Sequence, residues 1–148
     1  IGGSLYQRVL YDFLGGKIYK TDASLEKNLE ETIFELRDNK ILSGCIDVSE
    51  GGLFGAVFEA VKNGNTGFKG NLIFCKDEEK ALFGEITGRY VISTADVEKT
   101  EKILQSKQIQ YKILGNCIDK ALEFDGYSLD LKKLYDLYDK TIELEMER

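Results

Sequence analysis

The stretch Ile46-Asp47-Val48-Ser49-Glu50-Gly51-Gly52-Leu53 sets two carboxylates and a Gly-Gly pair where a short apolar run gives way to an amphipathic one. That junction has a chemistry of its own. The first N–H groups of a helix are unpaired and carry a partial positive charge. Glycine lets an anion approach them closely, which suits a phosphate at Gly51 and Gly52. Asp47 falls at the carboxyl end of a strand, the edge at which open α/β sheets take ligands. A carboxylate beside a phosphate calls for a cation between them, and Mg²⁺ is the ordinary one. Asp47 and Glu50 are therefore candidate metal ligands. The same residues also make a plain tight turn and helix start, because Ser49 and Glu50 suit a first turn without any ligand. The local pattern leaves both readings open.

Two other places share this ambiguity. Gly84-Glu85-Ile86-Thr87-Gly88-Arg89 leads into a β-branched run. Glu85 and Arg89 either clamp a polar ligand or pair with each other as a surface ion pair of little energetic weight. Gly2-Gly3-Ser4 stands at another helix start, and either receives a phosphate or only caps the helix.

Absences narrow the chemistry. The 148 residues include no His, so the chain supplies no imidazole base, no Ser-His pair and no His metal ligand. Cys45, Cys75 and Cys117 are widely spaced, with no CxxC and no zinc pattern. Their apolar neighbours predict buried free thiols in a reducing cytoplasm. A net charge of -6 argues against a broad basic face for nucleic acid. No run of 18 apolar residues indicates a membrane span, and the first residues do not read as a signal peptide. The chain starts at Ile1 and runs straight into Gly-Gly-Ser, which is expected of one piece of a longer polypeptide.

The elements that must position these residues follow from periodicity. Residues 4–14 predict a helix, with Leu5, Val9 and Phe13 at four-residue spacing, Tyr6 and Leu10 beside them, Ser4 as cap and Gly15-Gly16 as its end. A second helix spans 25–39, with Ser24 as cap, Leu25, Leu29, Ile33 and Leu36 inward, and Glu26, Lys27, Glu30 and Glu31 in water. Strands are expected at 45–48, 68–74, 89–94, 111–118 and 121–124. Helices are expected at 53–62, 96–107 and from Asp130 onward, the last with Leu131, Leu134, Leu137, Tyr138 and Ile142 inward and a tail that frays from Glu143, while 78–83 reads as a short helix or a turn. Residues 63–67 form a turn by composition. Hydrophobic residues at 43% and charged residues at 31% suit one globular domain over 1–148. The order predicts a layered α/β (α+β) domain, a mixed sheet flanked by helices.

The motifs also form a set. Gly2-Gly3-Ser4-x-Tyr6, Asp47-Val48-Ser49-Glu50-Gly51-Gly52-Leu53, Leu82-Phe83-Gly84-Glu85-x-x-Gly88-Arg89-Tyr90, the Ile113-Leu114-Gly115 strand end and the closing Leu131-x-x-Leu134 helix cover nearly the whole chain. In that order they resemble the C-terminal domains of the aminoimidazole ribonucleotide synthetase-like superfamily, and among them the second C-type domain of the phosphoribosylformylglycinamidine synthases. The resemblance implies a polypeptide that alternates two N-type and two C-type domains. It implies an ATP-dependent, cytoplasmic ligase of purine biosynthesis that uses Mg²⁺ and glutamine-derived ammonia. Such a ligase converts formylglycinamide ribonucleotide to its amidine through an activated amide oxygen. The family's catalytic His lies in an N-type domain, in keeping with the absence of His here.

In the first C-type domain of that family the counterpart of Asp47 holds metal and that of Glu85 lies by the substrate. The second is associated with an auxiliary nucleotide site. The resemblance thus makes Gly2, Gly3, Ser4, Gly51, Gly52, Glu85 and Arg89 candidates for binding ATP or ADP, and Asp47 and Glu50 candidates for Mg²⁺. It implies as partners an N-type domain of the same polypeptide, a glutaminase and small accessory subunits. The chain departs from the pattern at Gly84, where relatives often have Ser, and at Ile86-Thr87, where they often have Ser-Pro. Two alternatives remain: another ATP-using enzyme of the superfamily (thiamine monophosphate kinase, selenophosphate synthetase or hydrogenase maturation type), or a non-catalytic interaction module.

Overall fold

The computed structural model describes residues 2–17 and 20–146, with 142–145 by their backbone alone. The elements run α1 (Leu5–Tyr11), α2 (Ala23–Asp38), β1 (Leu42–Asp47), α3 (Gly52–Gly64), β2 (Gly67–Gly70), α4 (Glu78–Phe83), β3 (Tyr90–Thr94), α5 (Val97–Ser106), β4 (Gly115–Ile118), β5 (Leu122–Phe124), β6 (Tyr127–Leu129) and α6 (Leu131–Met146).

Short polar side chains start most of the helices. Ser4 caps α1 as expected, and its hydroxyl accepts from the Gln7 N–H at 3.2 Å. Asp12 ends α1 in the left-handed conformation, ahead of Gly15-Gly16. The α2 cap is Asp22 and not Ser24: its carboxylate accepts from the N–H groups of Ser24 and Leu25, so Ser24 lies inside the helix. Asp77 and Asp96 cap α4 and α5 in the same way. The α6 helix continues to Met146, beyond the expected fraying point at Glu143.

Two expected strands are shorter than their apolar runs. β2 stops at Gly70 because the N–H groups of Leu72 and Ile73 turn to the Asp125 carboxylate, at 2.6 and 3.0 Å. Of residues 111–118 only Gly115 to Ile118 join a ladder. β6 was not expected. It folds back on β5 through Asp125-Gly126, whose φ values of 47° and 88° suit a two-residue hairpin turn.

The strands form two sheets. β1 and β3 make an antiparallel ribbon; the other sheet has the order β4-β2-β5-β6 and is mixed, since β2 and β5 run parallel. Two apolar clusters result. One gathers Val57, Val61, Phe68, Leu72, Leu82, Leu122, Phe124 and Leu131, with α3 at its centre. The other joins Leu36 of α2 to Ile41, Leu104 and Ile109. β3 serves both: Val91 packs on the first and Ile92 on the second, as alternation along a strand requires.

Several expected burials do not occur. All three cysteines are exposed. Cys45 stands on the two-stranded ribbon, at a shallow hollow shared with Ile33 and Phe34 of α2, and Cys117 on β4, the outer strand of the larger sheet. Leu5, Val9, Leu10, Phe13 and Leu14 are also exposed, Val9 at 69%. The helix is shorter than the expected 4–14, ending at Tyr11, so Phe13 and Leu14 lie beyond it, and of its apolar side chains Tyr6 packs on Phe83 while Val9 and Leu10 stay exposed. Leu25, Leu137 and Tyr138 are exposed as well, and the Ile142 side chain lies outside the described residues. Tyr135 and Tyr138 nonetheless pack their rings on Phe58 of α3.

Candidate functional site

The β1–β3 register brings the first two motifs together. Asp47 lies opposite Tyr90, and the Val48 N–H donates to the Arg89 carbonyl at 2.8 Å. The turn that leaves β1 and the loop that enters β3 are therefore neighbours. Between them and α2 opens a cleft of about 390 Å³, lined by Asp47 to Glu50, Glu85 to Tyr90, Glu26 and Glu30. Sequence reasoning placed Glu26 and Glu30 on a plain solvated face. Glu26 instead reaches over Gly88, where a Cβ would come within 3.2 Å of its side chain. The α2 spacing put both on one helix face; only the tertiary packing says that this face borders a cleft.

The third motif joins through one atom. Glu85 Oε1 accepts from the N–H of Gly51 at 3.0 Å and from the N–H of Leu5 at 2.9 Å. Gly2-Gly3-Ser4, Gly51-Gly52 and the 84–89 loop thus converge on a single carboxylate. Glu85 and Arg89 neither pair with each other nor share an open clamp. The Arg89 Nη2 donates to the Gly84 carbonyl and its Nε to the Ile86 carbonyl, so the guanidinium braces its own loop. Burial lowers the pKa of Arg89 without bringing a carboxylate partner. Gly84 is explained in the same place: a Cβ there would stand 2.6 Å from the Lys80 carbonyl oxygen.

The glycines do not offer free amides. The Gly3 N–H donates to the Gly15 carbonyl and the Gln7 side chain, and the Gly52 N–H to the Ser49 carbonyl. With Gly51 bound to Glu85, the Gly3, Gly51 and Gly52 amides each already have an internal acceptor. Gly52, at φ +64°, serves close packing, since a Cβ would lie 2.7 Å from the Leu82 carbonyl oxygen. Gly2 likewise abuts the Lys17 backbone.

Electrostatics still favour a cation. Among the described lining residues, Glu26, Glu30, Asp47, Glu50 and Glu85 face a single guanidinium. The field is felt nearby. The Tyr90 hydroxyl is pushed above its ordinary pKa by burial and then by Glu30, Cys45, Asp47 and Glu26; the Cys45 thiol is pushed up by burial and then by Asp47. Among the described residues no three Asp, Glu, Cys or His groups cluster closely enough to hold a metal by themselves. Mg²⁺ commonly takes one or two carboxylates and completes its shell with water and phosphate oxygens. Exposed Asp47 and Glu50 at the cleft mouth fit that role; the glycine amides, as they stand, do not fit a phosphate seat.

Comparison with known proteins bears on the family and the fold. A family profile described as AIR synthase related protein, C-terminal domain, matches residues 4–125. The phosphoribosylformylglycinamidine synthase subunit PurL of Petrotoga mobilis is 36% identical over 151 residues, covering 99% of this chain and 20% of its own length. The chain therefore spans about a fifth of that relative. Among solved structures, PurLQS from Thermotoga maritima aligns with a TM-score of 0.65 at 19% identity, over 88% of this chain and 24% of that one. PurL from the same organism complexed with ATP aligns at 0.63 and 20% identity, over 73% of this chain and 21% of that one. At these identities the solved structures speak to the fold.

Proposed function

Since the chain belongs to the AIR synthase related C-terminal domain family, we propose that it works as the second C-type domain of a phosphoribosylformylglycinamidine synthase. In that role it contributes to an ATP-dependent carbon–nitrogen ligase of purine biosynthesis in the cytoplasm, which makes the amidine from formylglycinamide ribonucleotide and glutamine-derived ammonia. In this reading the domain by itself is inactive, because the family's catalytic His lies in an N-type domain. Its place is beside an N-type domain of the same polypeptide, for which the uncovered apolar side of α1 provides a surface. A glutaminase and small accessory subunits complete the assembly, a reading supported by the PurLQS likeness.

The observation that carries a nucleotide role is the acidic cleft at which all three motifs meet. Bound Mg²⁺ would offset the like charge between nucleotide phosphates and the cleft carboxylates. Asp47 and Glu50 would hold it, and the braced Arg89 loop would keep the opposite wall in shape. The test is Asp47→Asn in the full-length enzyme. Affinity for ATP or ADP in the presence of Mg²⁺ should fall about tenfold, as expected for losing a charge-assisted contact, with the fold of this domain unchanged. Unaltered affinity would remove Asp47 from the site.

One observation favours a second reading. Glu85 already occupies the Gly51 amide, as it would in a domain whose cleft is purely architectural. That reading predicts no change of nucleotide affinity in Asp47→Asn.

A further inference from the structure

We infer that Glu85 is a latch that holds the N-terminal segment against the cleft wall. The segment is closed on itself by the Gly3 N–H, which donates to the Gly15 carbonyl at 3.0 Å. Its helix buries none of its own residues. What fixes it to the body is concentrated at one place. Tyr6 stacks on Phe83 with ring centroids 4.4 Å apart, and the Tyr11 hydroxyl donates to Glu79 at 3.4 Å. Glu79 and Phe83 belong to α4, and Glu85 follows directly after it. Of these contacts, the Glu85 bridge alone is charge-assisted and reaches the backbone, and one oxygen serves two N–H groups. Withdrawing that oxygen strips an acceptor from Leu5 and from the start of α3 together. The latch thereby couples the cleft wall to the position of α1 and of the apolar side chains it displays. It holds whether or not a nucleotide enters the cleft.

The experiment is amide hydrogen exchange by NMR on the full chain carrying Glu85→Ala. Exchange at Leu5, Gly51 and the α1 amides should speed up on the order of ten- to a hundredfold, the range for losing a hydrogen bond to a charged group. Leu36, Phe68 and Leu104, in the two apolar clusters, should keep their rates. Glu85→Gln, whose side-chain carbonyl still accepts, should fall between the two. Unchanged exchange at Leu5 and Gly51, or no protection of Leu5 in the wild type, would overturn the latch. So would acceleration shared equally by Leu36 and Phe68, or failure of Glu85→Ala to fold, since a latch on a segment whose helix buries no residue cannot carry the fold.

Discussion

At the scale of single residues, several groups whose types pointed to ligand chemistry are first of all structural. Gly52 is the clearest case. Its positive φ and the 2.7 Å approach of the Leu82 carbonyl oxygen leave no room for a side chain. Gly52→Ala should therefore destabilise the chain by about 2–4 kcal/mol, combining backbone strain with a forced separation of α3 from α4. Urea unfolding would measure it, and a cost below the 0.5 kcal/mol typical of surface changes would refute this account. The sequence placed Gly52 in one motif and Glu85 and Arg89 in another, and the structure brings the two motifs together. It could not say that Glu85 would spend its carboxylate on two amides, because those amides lie 80 and 34 residues away. Arg89 misled for a similar reason: a guanidinium next to a carboxylate in sequence satisfied itself on loop carbonyls.

At the scale of elements, helix starts were legible where a short polar side chain precedes an apolar period, as at Ser4. Ser24 was misjudged because Asp22 competes two residues earlier with a stronger, charged acceptor. Strand lengths at 68–74 and 111–118 were overestimated because pairing partners, which apolar runs do not reveal, set where a ladder ends. Asp125-Gly126 was a readable hairpin signal, and β6 follows from it. The two apolar clusters yield a prediction at this level. Leu36→Ala and Leu122→Ala, both at 0% exposure, should each cost about 2–5 kcal/mol. Because the residues belong to separate clusters, the double mutant should be additive to within about 0.5 kcal/mol in equilibrium unfolding. Coupling larger than 1 kcal/mol would mean the clusters act as one.

At the scale of the whole molecule, the composition announced a globular domain but not how unevenly its apolar surface is distributed. Val9 and Leu10 on α1, and Leu14 just beyond its end, are 58–69% exposed. Changing all three to Ser or Lys should reduce binding of a hydrophobic dye and self-association of the isolated chain. The unfolding midpoint should shift little, because more than half of each side chain is exposed. A large loss of stability would show that they are already packed. The convergence of three motifs was visible in sequence only as a resemblance; contact between them needed the β1–β3 register. That ribbon has a consequence of its own. With Val91 facing one cluster and Ile92 the other, β3 behaves like a reading frame with a period of two. A residue gained or lost between them hands each later side chain to the wrong compartment, whereas a second such change restores the phase. A one-residue insertion or deletion within β3 should thus cost far more than one in a loop away from the ribbon.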